Sequence, residues 1–420
     1  MDKSAPVGFR SAFNAIVIVA ALGYFVDIYD LILFGVVRVS SLKSLGITDD
    51  ADIMREGLSL INWQMFGMLV GGIAWGILGD KRGRVTVLFG SILLYSLANI
   101  ANGVIESFGE NALVAYKVLR FVAGLGLAGE LGAGITLVSE TMHKQDRGYG
   151  TMLMVMVGAL GGVAAATVGN SFGWQTAYFI GGGLGLTLLI MRVGTYESGL
   201  FKQSLEDTSI ERGNFFKLFN DWARFRKYLA CIVVGIPIWF SVGILVLLAK
   251  EFAKIIHISG IDESQISGVA IVWLYLGLAA GDIVSGLLSQ WWQSRKKVIL
   301  LFIVLHAISI LLYVFARDIS GIYYRFLIFF IGATTGYWGL FATIASEQFG
   351  TNLRATVATT VPNFVRGALI PIALAFETIA AQTDKMTSAI IVGMTCIALS
   401  LAAISSLKET FGKDLDYWEK

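Results

Sequence analysis

Twelve long apolar stretches, each bounded by charged or turn residues, constrain this chain more than any other feature. An apolar stretch of about 20 residues crosses the hydrocarbon core of a bilayer as a helix, where only helices and closed barrels satisfy their own backbone hydrogen bonds. With 56% hydrophobic and 15% charged residues among 420, the composition excludes an ordinary soluble domain. The sequence therefore predicts an all-α membrane protein with transmembrane helices at roughly 12–38, 57–79, 85–105, 112–138, 149–170, 174–194, 228–250, 266–290, 297–315, 321–346, 356–381 and 386–407.

The reactive side chains favour neither an enzyme nor a channel. Cys231 and Cys396 lie within apolar stretches, where a thiol behaves as a small hydrophobe, so we expect no disulfide and no metal. His143, His257 and His306 have no histidine or cysteine partner at metal-ligand spacing. We find no nucleophile–base set, nucleotide-binding loop or repeated pore loop, and no basic face with interleaved aromatic residues. The sequence therefore predicts no catalytic residue, no cofactor and no nucleic-acid partner.

The longest polar interruption divides the chain into two halves. We predict an N-terminal six-helix bundle at 1–195, a cytoplasmic linker at 196–227 and a C-terminal six-helix bundle at 228–420. The hydrophobic residues near the end of the linker have amphipathic helical spacing, so we expect this part to lie on the membrane surface. They are Phe215, Phe216, Leu218, Phe219, Trp222 and Phe225.

The two halves repeat in their charged residues. The same interval separates Glu140 from Arg147, after the fourth apolar stretch, and Glu347 from Arg354, after the tenth. Many secondary transporters are built from such internal repeats, with the binding site near the membrane midplane between them. Small-molecule transport across a lipid bilayer is therefore the function that this architecture favours.

Lysine and arginine indicate the orientation of the chain, because cytoplasmic loops carry an excess of them. A cytoplasmic N-terminus places the turn before residue 85, the predicted linker and the basic run at 295–297 on one side. The other side keeps far fewer basic residues. We therefore expect both termini in the cytoplasm and the protein in a bacterial inner (plasma) membrane.

A charged turn, Gly79-Asp80-Lys81-Arg82-Gly83-Arg84, joins the second and third apolar stretches. Six residues with four charges cannot lie in lipid, so the turn lies at a membrane surface. On physical grounds alone, the alternative is a turn that only fixes orientation. The run from Gly72 to Arg84 resembles the signature between helices 2 and 3 of the major facilitator superfamily, a glycine followed by Asp-Lys/Arg-x-Gly-Arg. The resemblance implies the fold of that family, with twelve transmembrane helices in two six-helix pseudo-repeats.

A second resemblance covers most of the N-terminal half. The run Asp27 to Gly35 is similar to the acidic-x-Tyr-Asp-aromatic-x-x-aromatic-Gly stretch in the first span of the metabolite:proton symporters. The run Arg120 to Glu140, with Gly129-Glu130 and Gly132 inside it, resembles their fourth span, and Arg192, Glu197-Ser198 and Phe201 resemble the end of their sixth. The resemblance implies a proton-coupled symporter for organic acids, osmolytes or related small metabolites that works by alternating access.

Four charged residues within the apolar stretches are candidates for the central site, because an intramembrane charge is costly unless it faces a cavity or a partner. A rise of about 1.5 Å per residue puts Asp27, Asp30 and Arg120 at nearly the same depth, with Arg366 near the middle of its helix. We predict that all four share one water-filled cavity. Asp27 and Asp30, on one helical face, are candidates for proton coupling, and Arg120 and Arg366 for binding an anion. The alternative is a structural Asp–Arg pair that holds spans 1 and 4 together.

Aromatic side chains complete the predicted substrate site. Tyr24 lies three residues before Asp27 and shares its helical face, and Trp239, Tyr337 and Trp338 lie on helices that line the cavity in the fold implied by the resemblance. These side chains are suited to stack against a metabolite, although core packing or lipid contact is the more common role of such residues.

Two further features of the C-terminal half lie near this predicted site. Pro362, Gly367 and Pro371 flank Arg366, which predicts a bend in the eleventh helix close to the site. We expect His306 in the ninth helix to serve in helix packing or to face lipid, with a proton relay as the alternative.

Charged residues at the predicted cytoplasmic helix ends form the candidate gate. They are Asp80, Arg84, Glu140, Arg147, Glu347 and Arg354, and Glu130 and Asp282 lie deeper and extend the same network. The resemblance implies that Asp80 faces the end of the eleventh helix, and that Glu140 pairs with Arg147 and Glu347 with Arg354 within each half. The alternative is a set of static surface pairs, each worth about 0 to 1 kcal/mol.

The second copy of the charged turn is degenerate. Residues 286–289 lead into the basic run at 295–297 without an aspartate. We therefore expect this copy to close less tightly than the one that contains Asp80.

The sequence thus favours a monomeric secondary transporter that couples protons to the inward movement of a small organic anion or zwitterionic metabolite. A carrier of neutral sugars or organic cations, or a proton-driven exporter, on the same fold is the alternative. Saturable, pH-dependent uptake separates any of these carriers from a channel.

Overall fold

The computed structural model describes residues 14–143, 146–192, 214–413 and 417–418. Within these ranges, twelve helical segments are long and apolar enough to cross a membrane, as the sequence predicts. We number them spans 1–12. In the first half they are Ala15–Ser44, Asp50–Arg82, Arg84–Gly103, Ala112–Leu127 with Glu130–Thr141, Arg147–Ser171 and Trp174–Met191. In the second half they are Trp222–Phe240 with Ser241–Val246 and Ala249–Ile256, Ile266–Trp291, Arg295–Val314, Gly321–Thr335 with Trp338–Glu347, Thr351–Gly367 with Leu369–Gln382, and Lys385–Ser406.

Polar caps place several helix ends outside the apolar stretches. The side chain of Asp221 accepts a hydrogen bond from the backbone N–H of Arg224, so span 7 begins at Trp222 rather than at residue 228. Ser294 caps span 9 in the same way. Such caps satisfy N–H groups that have no partner in the first turn of a helix.

The predicted linker lies largely outside the described residues, as do Glu197, Ser198 and Phe201. Its described end forms a short 3₁₀ helix, Phe215–Leu218, followed by the first turns of span 7. Phe215 and Leu218 are buried, whereas Phe216 and Trp222 are 73% and 69% exposed. The segment is therefore amphipathic, and its position on the membrane surface stays a prediction.

Four of the spans are interrupted. Span 4 breaks between Leu127 and Glu130, span 10 between Thr335 and Trp338, and span 11 at Ala368, where the proline and glycine pattern predicts a bend. Span 7 contains a π-helical turn, Ser241–Val246. Irregular backbone at membrane depth is stable only where it is buried in protein or lines a cavity, so these breaks direct attention to the centre of the bundle.

The halves meet along two long contacts, between spans 2 and 11 and between spans 5 and 8. Small residues permit the closest approaches between helices, as is usual in membranes. A Cβ atom on Gly76 would lie 2.9 Å from the Cα of Thr356, so glycine is required there for span 2 to reach span 11. The outward faces carry exposed apolar side chains, including Leu97, Val114 and Leu374, which suits contact with lipid.

The two ends of the bundle differ. We call the end that carries Asp80, Glu140, Arg295 and Glu347 the charged end. The opposite end carries the connections at 45–49, 104–111, 257–265, 315–320 and 383–384. There, the two-residue strands Ile258–Ser259 and Ile319–Ser320 pair in parallel, and 3₁₀ turns form at Ile105–Asn111 and Glu263–Gln265.

Candidate functional site

Arg366 is the centre of the candidate site. It lies in the last turn of Thr351–Gly367, just before the break in span 11, and its side chain is 1% exposed. Its guanidinium carbon lies 5.9 Å from the ring centre of Trp239 and 5.7 Å from that of Trp338. Nη2 lies 3.7 Å from Oδ2 of Asp27. The Arg366 cation therefore lies within cation–π distance of two indole rings and close to one carboxylate.

Tyr24 joins this group from span 1. The Trp338 indole Nε1–H donates a hydrogen bond of 2.8 Å to the Tyr24 hydroxyl, which fixes the indole next to Arg366. The same side chains border a small cavity of about 20 Å³. Its lining includes Tyr24, Ile28, Trp239, Tyr275, Trp338 and Arg366. The site is therefore an aromatic-walled cavity with one buried cation.

A second small cavity, of about 40 Å³, lies beside the first. Trp239, Val242 and Tyr275 line both cavities, so the two spaces are neighbours across the same three side chains. The second is almost entirely apolar, and Gln64 is the strongest hydrogen-bonding side chain in its lining. All three shared residues belong to spans 7 and 8, and Val242 lies in the π-helical turn.

Arg120 and Asp30 do not share the cavity of Arg366, which corrects the prediction of one common chamber. Arg120 donates a short hydrogen bond to Gln64 and lies 4.8 Å from the centre of the Phe34 ring. The Asp30 carboxylate packs against Gly181 of span 6 and lies within electrostatic reach of Arg120. The acidic residue that contacts a central arginine is Asp27, and its partner belongs to span 11 rather than span 4.

Two other sequence expectations also change. Tyr337 donates its hydroxyl hydrogen to the carbonyl of Val234 at 3.1 Å, so it packs within the second half and lines neither cavity. His306 does not face lipid. It is fully buried, and its ring nitrogens lie 3.0 Å from Ser241 Oγ and 2.9 Å from Thr334 Oγ1, which is the helix-packing role that the sequence favours.

Sequence reasoning missed Gln64 and Tyr275. Neither is charged, so the cost of an intramembrane charge gave no signal for them. Their place in the lining depends on helix rotation, which a single sequence does not reveal.

At the charged end, Asp80 contacts the start of span 11, the arrangement that the resemblance implies. Its carboxylate accepts hydrogen bonds from the backbone N–H groups of Ala355 (3.1 Å) and Thr356 (2.8 Å) and from the Thr356 hydroxyl (2.6 Å). Arg84 Nη2 lies 3.5 Å from the same carboxylate. All of these groups are buried, so the charged end is closed between spans 2 and 11.

Glu140 has partners beyond the Arg147 that the resemblance implies, and Glu347 has a different one. Glu140 Oε1 lies 2.9 Å from Arg84 Nη2 and 3.3 Å from Arg354 Nη1. Arg354 belongs to the second half, so Glu140 connects the two halves instead of only joining neighbouring helices. Glu347 forms a bidentate pair with Arg295, at 2.7 and 2.8 Å, and not with Arg354. Arg147 is buried at the start of span 5.

The two deeper acidic residues, Glu130 and Asp282, each form hydrogen bonds within one half. Glu130 accepts two hydrogen bonds from Arg192, at 3.0 and 2.8 Å, and one from Ser91 at 2.8 Å. Asp282 accepts a bond of 3.0 Å from the backbone N–H of Gly339, directly after the break in span 10. Neither contact crosses between the halves. Among the described residues, no group of three or more histidine, cysteine and acidic side chains is placed to hold a metal ion.

Relatives of known name match nearly the whole chain. A putative metabolite transport protein of Haemophilus influenzae is 26% identical over 94% of this chain and 96% of its own length. A putative niacin/nicotinamide transporter of Bacillus subtilis is 27% identical over 99% and 100%. A proline/betaine transporter of Salmonella typhimurium is 24% identical over 94% and 83%.

Solved structures share the fold. A proton:xylose symporter has a TM-score of 0.75 at 16% identity, with 95% of this chain and 97% of that chain covered. FucP in the outward conformation has a TM-score of 0.73 at 13% identity over 94% and 99%. The family model of the Major Facilitator Superfamily matches residues 20–375. The chain therefore belongs to the major facilitator superfamily, and it is a membrane transporter rather than an enzyme.

Proposed function

We propose that this transporter carries a small organic anion or zwitterionic metabolite together with protons, by alternating access. The observation that supports the proposal most strongly is Arg366, which is buried between Trp239 and Trp338 at the edge of the cavity and 3.7 Å from Asp27.

Competition for Arg366 supplies the coupling. A guanidinium stays charged at any physiological pH, and a buried charge needs a partner of opposite sign. While Asp27 is ionised, it is that partner and repels an incoming carboxylate. Once Asp27 takes up a proton, Arg366 becomes available to the substrate anion. Anion and proton therefore bind together, which is the requirement for symport.

The cavity suits a small carboxylate. Its indole and phenol walls favour a planar ring or a cationic amine over a sugar. Two of the relatives are named for niacin/nicotinamide and for proline/betaine. Niacin, proline and betaine each carry one carboxylate, the group that Arg366 is placed to bind.

The charged end is the cytoplasmic gate in this proposal. Asp80, Glu140 and Arg354 join the halves there when it is closed, and Arg84 contacts both carboxylates. Near the opposite end, spans 2 and 11 border an open cleft of about 800 Å³. We place both termini in the cytoplasm and the protein in a bacterial inner membrane, with residues 1–195 and 228–420 as the moving bundles of a monomer.

Thermal stabilisation of the purified protein tests the substrate class, because a ligand that binds the native state raises its melting temperature. Benzoate, nicotinate, betaine, xylose and choline are compared at pH about 5 and about 8. We expect a carboxylate to stabilise the protein, and more so at the lower pH. A pH-independent response to xylose or choline alone would overturn the substrate assignment.

Variants then separate binding from coupling. Arg366→Lys is expected to weaken carboxylate binding, because it keeps the positive charge. Arg366→Gln is expected to abolish binding, because it removes that charge. Asp27→Asn is expected to bind and exchange the carboxylate but not to accumulate it in proteoliposomes against a gradient. Tyr337→Phe is the matched control, because its hydroxyl contacts Val234 and Ser400 in the packing of the second half and lines neither cavity.

A further inference from the structure

A buried chain of hydroxyl groups runs through the first half, away from both cavities. The Tyr116 hydroxyl donates to Ser41 Oγ at 3.2 Å, and the hydroxyls of Tyr116 and Tyr178 lie 2.8 Å apart. All three side chains are fully buried. Ser41 is one helical turn from Ser44, which is exposed at the opposite end of the bundle. The chain therefore begins close to the aqueous surface of that end.

The other end of the chain lies beside Asp30. The Asp30 carboxylate packs against Gly181, which is one turn after Tyr178 on the same face of span 6. Tyr178 lies within electrostatic reach of both Asp30 and Arg120. The Asn99 side chain of span 3 is close enough to interact with the Asp30 carboxylate, but neither carboxylate oxygen has a hydrogen bond of ordinary geometry among the described residues. Because buried carboxylate oxygens are normally hydrogen-bonded, a bridging water is expected between Asp30 and Tyr178.

Several other groups surround Asp30, but the described contacts connect none of them to the surface through a chain of hydroxyl groups. They are Asp27 and Tyr29 on span 1, Tyr95 and Asn99 on span 3, and Arg120 on span 4. The Tyr29 hydroxyl donates to the backbone carbonyl of Ala177 and leads no further. The Tyr95 hydroxyl has no hydrogen-bond partner among the described residues.

We propose that Ser41, Tyr116 and Tyr178 form a proton-access route from the opposite end of the bundle to Asp30, separate from the substrate path. A hydroxyl both donates and accepts, and its hydrogen rotates to suit. In the structure Ser41 donates to the Arg38 carbonyl and Tyr116 donates to Ser41, so both hydroxyl hydrogens first rotate toward Tyr178. Water at the surface then gives a proton to Ser41 Oγ, and each hydroxyl passes its own proton to the next oxygen. Tyr178 passes the last one through the bridging water to the Asp30 carboxylate.

The transfer leaves every relay group unchanged. One O–H bond forms and one breaks at each hydroxyl and at the water, and Asp30 gains the proton as a neutral carboxylic acid. Asp27, one turn away on the same helix, is the next carboxylate toward Arg366. The route rests on the proposed function in that it supplies the coupling proton, while the substrate uses the cavity of Arg366.

Infrared spectroscopy after a light-triggered pH jump tests the route without any substrate. The carbonyl band of protonated Asp30 is identified by its loss in Asp30→Asn. We expect Tyr116→Phe and Tyr178→Phe to slow the appearance of this band at least tenfold, because each removes one relay hydroxyl. Ser41→Ala is expected to slow it less, since water can replace a hydroxyl near the surface.

The matched control is Tyr29→Phe, which removes a buried hydroxyl from the same bundle without interrupting the chain. Wild-type band kinetics in both relay variants would overturn the route, and so would the absence of any titrating Asp30 band in the wild type. Equal slowing in Tyr29→Phe would also overturn it, because the effect would then be structural. The proposed function is tested apart from this by proton-driven benzoate uptake, so either idea can fail while the other stands.

Discussion

The two contacts between the halves at the charged end have similar backbones and different chemistry. Where span 2 meets span 11, the Asp80 carboxylate accepts three hydrogen bonds from the start of span 11. Where span 8 meets span 5, the amide of Gln290 packs against Gly148, and its nitrogen has no hydrogen-bond partner among the described residues. One contact is ionic and fully bonded, and the other is neutral.

The turns that follow these residues each contain a residue of positive φ. Gly83, three residues after Asp80, has φ of 100°, and Gln293, three residues after Gln290, has φ of 48°. Only the first is a glycine, for which positive φ carries no steric cost. The turn in the second half therefore lacks both the aspartate and the glycine, and we expect the free energy that closes this end to be concentrated on the side of Asp80.

The two buried glutamates extend the comparison and give the largest expected effect. Glu140 is shared by Arg84 and by Arg354 of the other half, whereas Glu347 bonds Arg295 within its own half. Removing one member of a buried ion pair costs about 3 to 5 kcal/mol. We expect Glu140→Gln to open the charged end, and Glu347→Gln to lower the melting temperature while leaving that end closed.

Distances between spin labels at positions 82 and 408 measure the opening, in a background without Cys231 and Cys396. Both labelled positions are exposed at the charged end, one in each half. If the two variants gave the same distance distribution, the distinction between a contact across the halves and one within a half would fail.

Asp80→Asn is expected to have the second-largest effect. Asparagine keeps the shape but offers one acceptor oxygen in place of two, and its amide hydrogens then face the N–H groups of span 11. Hydrogen bonds to a charged group contribute about 1.5 to 3 kcal/mol each, so we expect a clear shift toward long label distances. Gln290→Ala is the matched control in the neutral contact, and we expect a change within about 0.5 kcal/mol. A larger shift in the control would reverse the assigned asymmetry.

The fold was predictable because its main determinant is local. A stretch of about 20 apolar residues specifies a span without reference to the rest of the chain, and the prolines around Arg366 predicted the break in span 11. The predicted starts of spans 7 and 9 differ from the observed starts at Trp222 and Arg295. The reason is that the caps Asp221 and Ser294 are polar and lie outside the apolar stretches.

The partners of the charged residues were not predictable in the same way. The equal spacing of the repeated Glu and Arg residues indicates a repeat, but which arginine reaches Glu140 depends on how span 11 packs across the other half. The same holds for Asp27, whose partner Arg366 is far away in sequence, and for Tyr116 and Tyr178, which carry no charge that a sequence pattern would signal. Helix rotation and packing decide these contacts.

Adding a charge at the contact between spans 5 and 8 tests the same difference in the opposite direction. Gln290→Glu places a carboxylate next to the start of span 5, where the helix dipole favours negative charge. It also lies near Arg295, whose Nη1 has no hydrogen-bond partner among the described residues. We expect the closed end to gain about 1 kcal/mol, seen as a narrower distribution of short label distances. An opening of this end in the variant would show that the neutral contact is not a counterpart of the Asp80 contact.

The smallest expected effect concerns the cap that only the second half shows. Glu409 accepts hydrogen bonds from Ser294 Oγ at 2.5 Å and from the backbone N–H of Arg295 at 3.1 Å, whereas Gly83 gives the start of span 3 no side-chain cap. Partial burial acts to raise the pKa of Glu409, but these hydrogen bonds outweigh it and hold the pKa below its ordinary value near 4.5. A depressed pKa means that the stabilisation is present above that ordinary value and is lost as the pH falls through the pKa of the folded state.

We expect Glu409→Gln to lower stability at pH 7 by less than about 1 kcal/mol, because the group is partly exposed to solvent. The difference from the wild type in melting temperature should shrink as the pH falls below about 4.5. A difference that stayed constant or grew in acid would mean that Glu409 acts through packing and not through its charge.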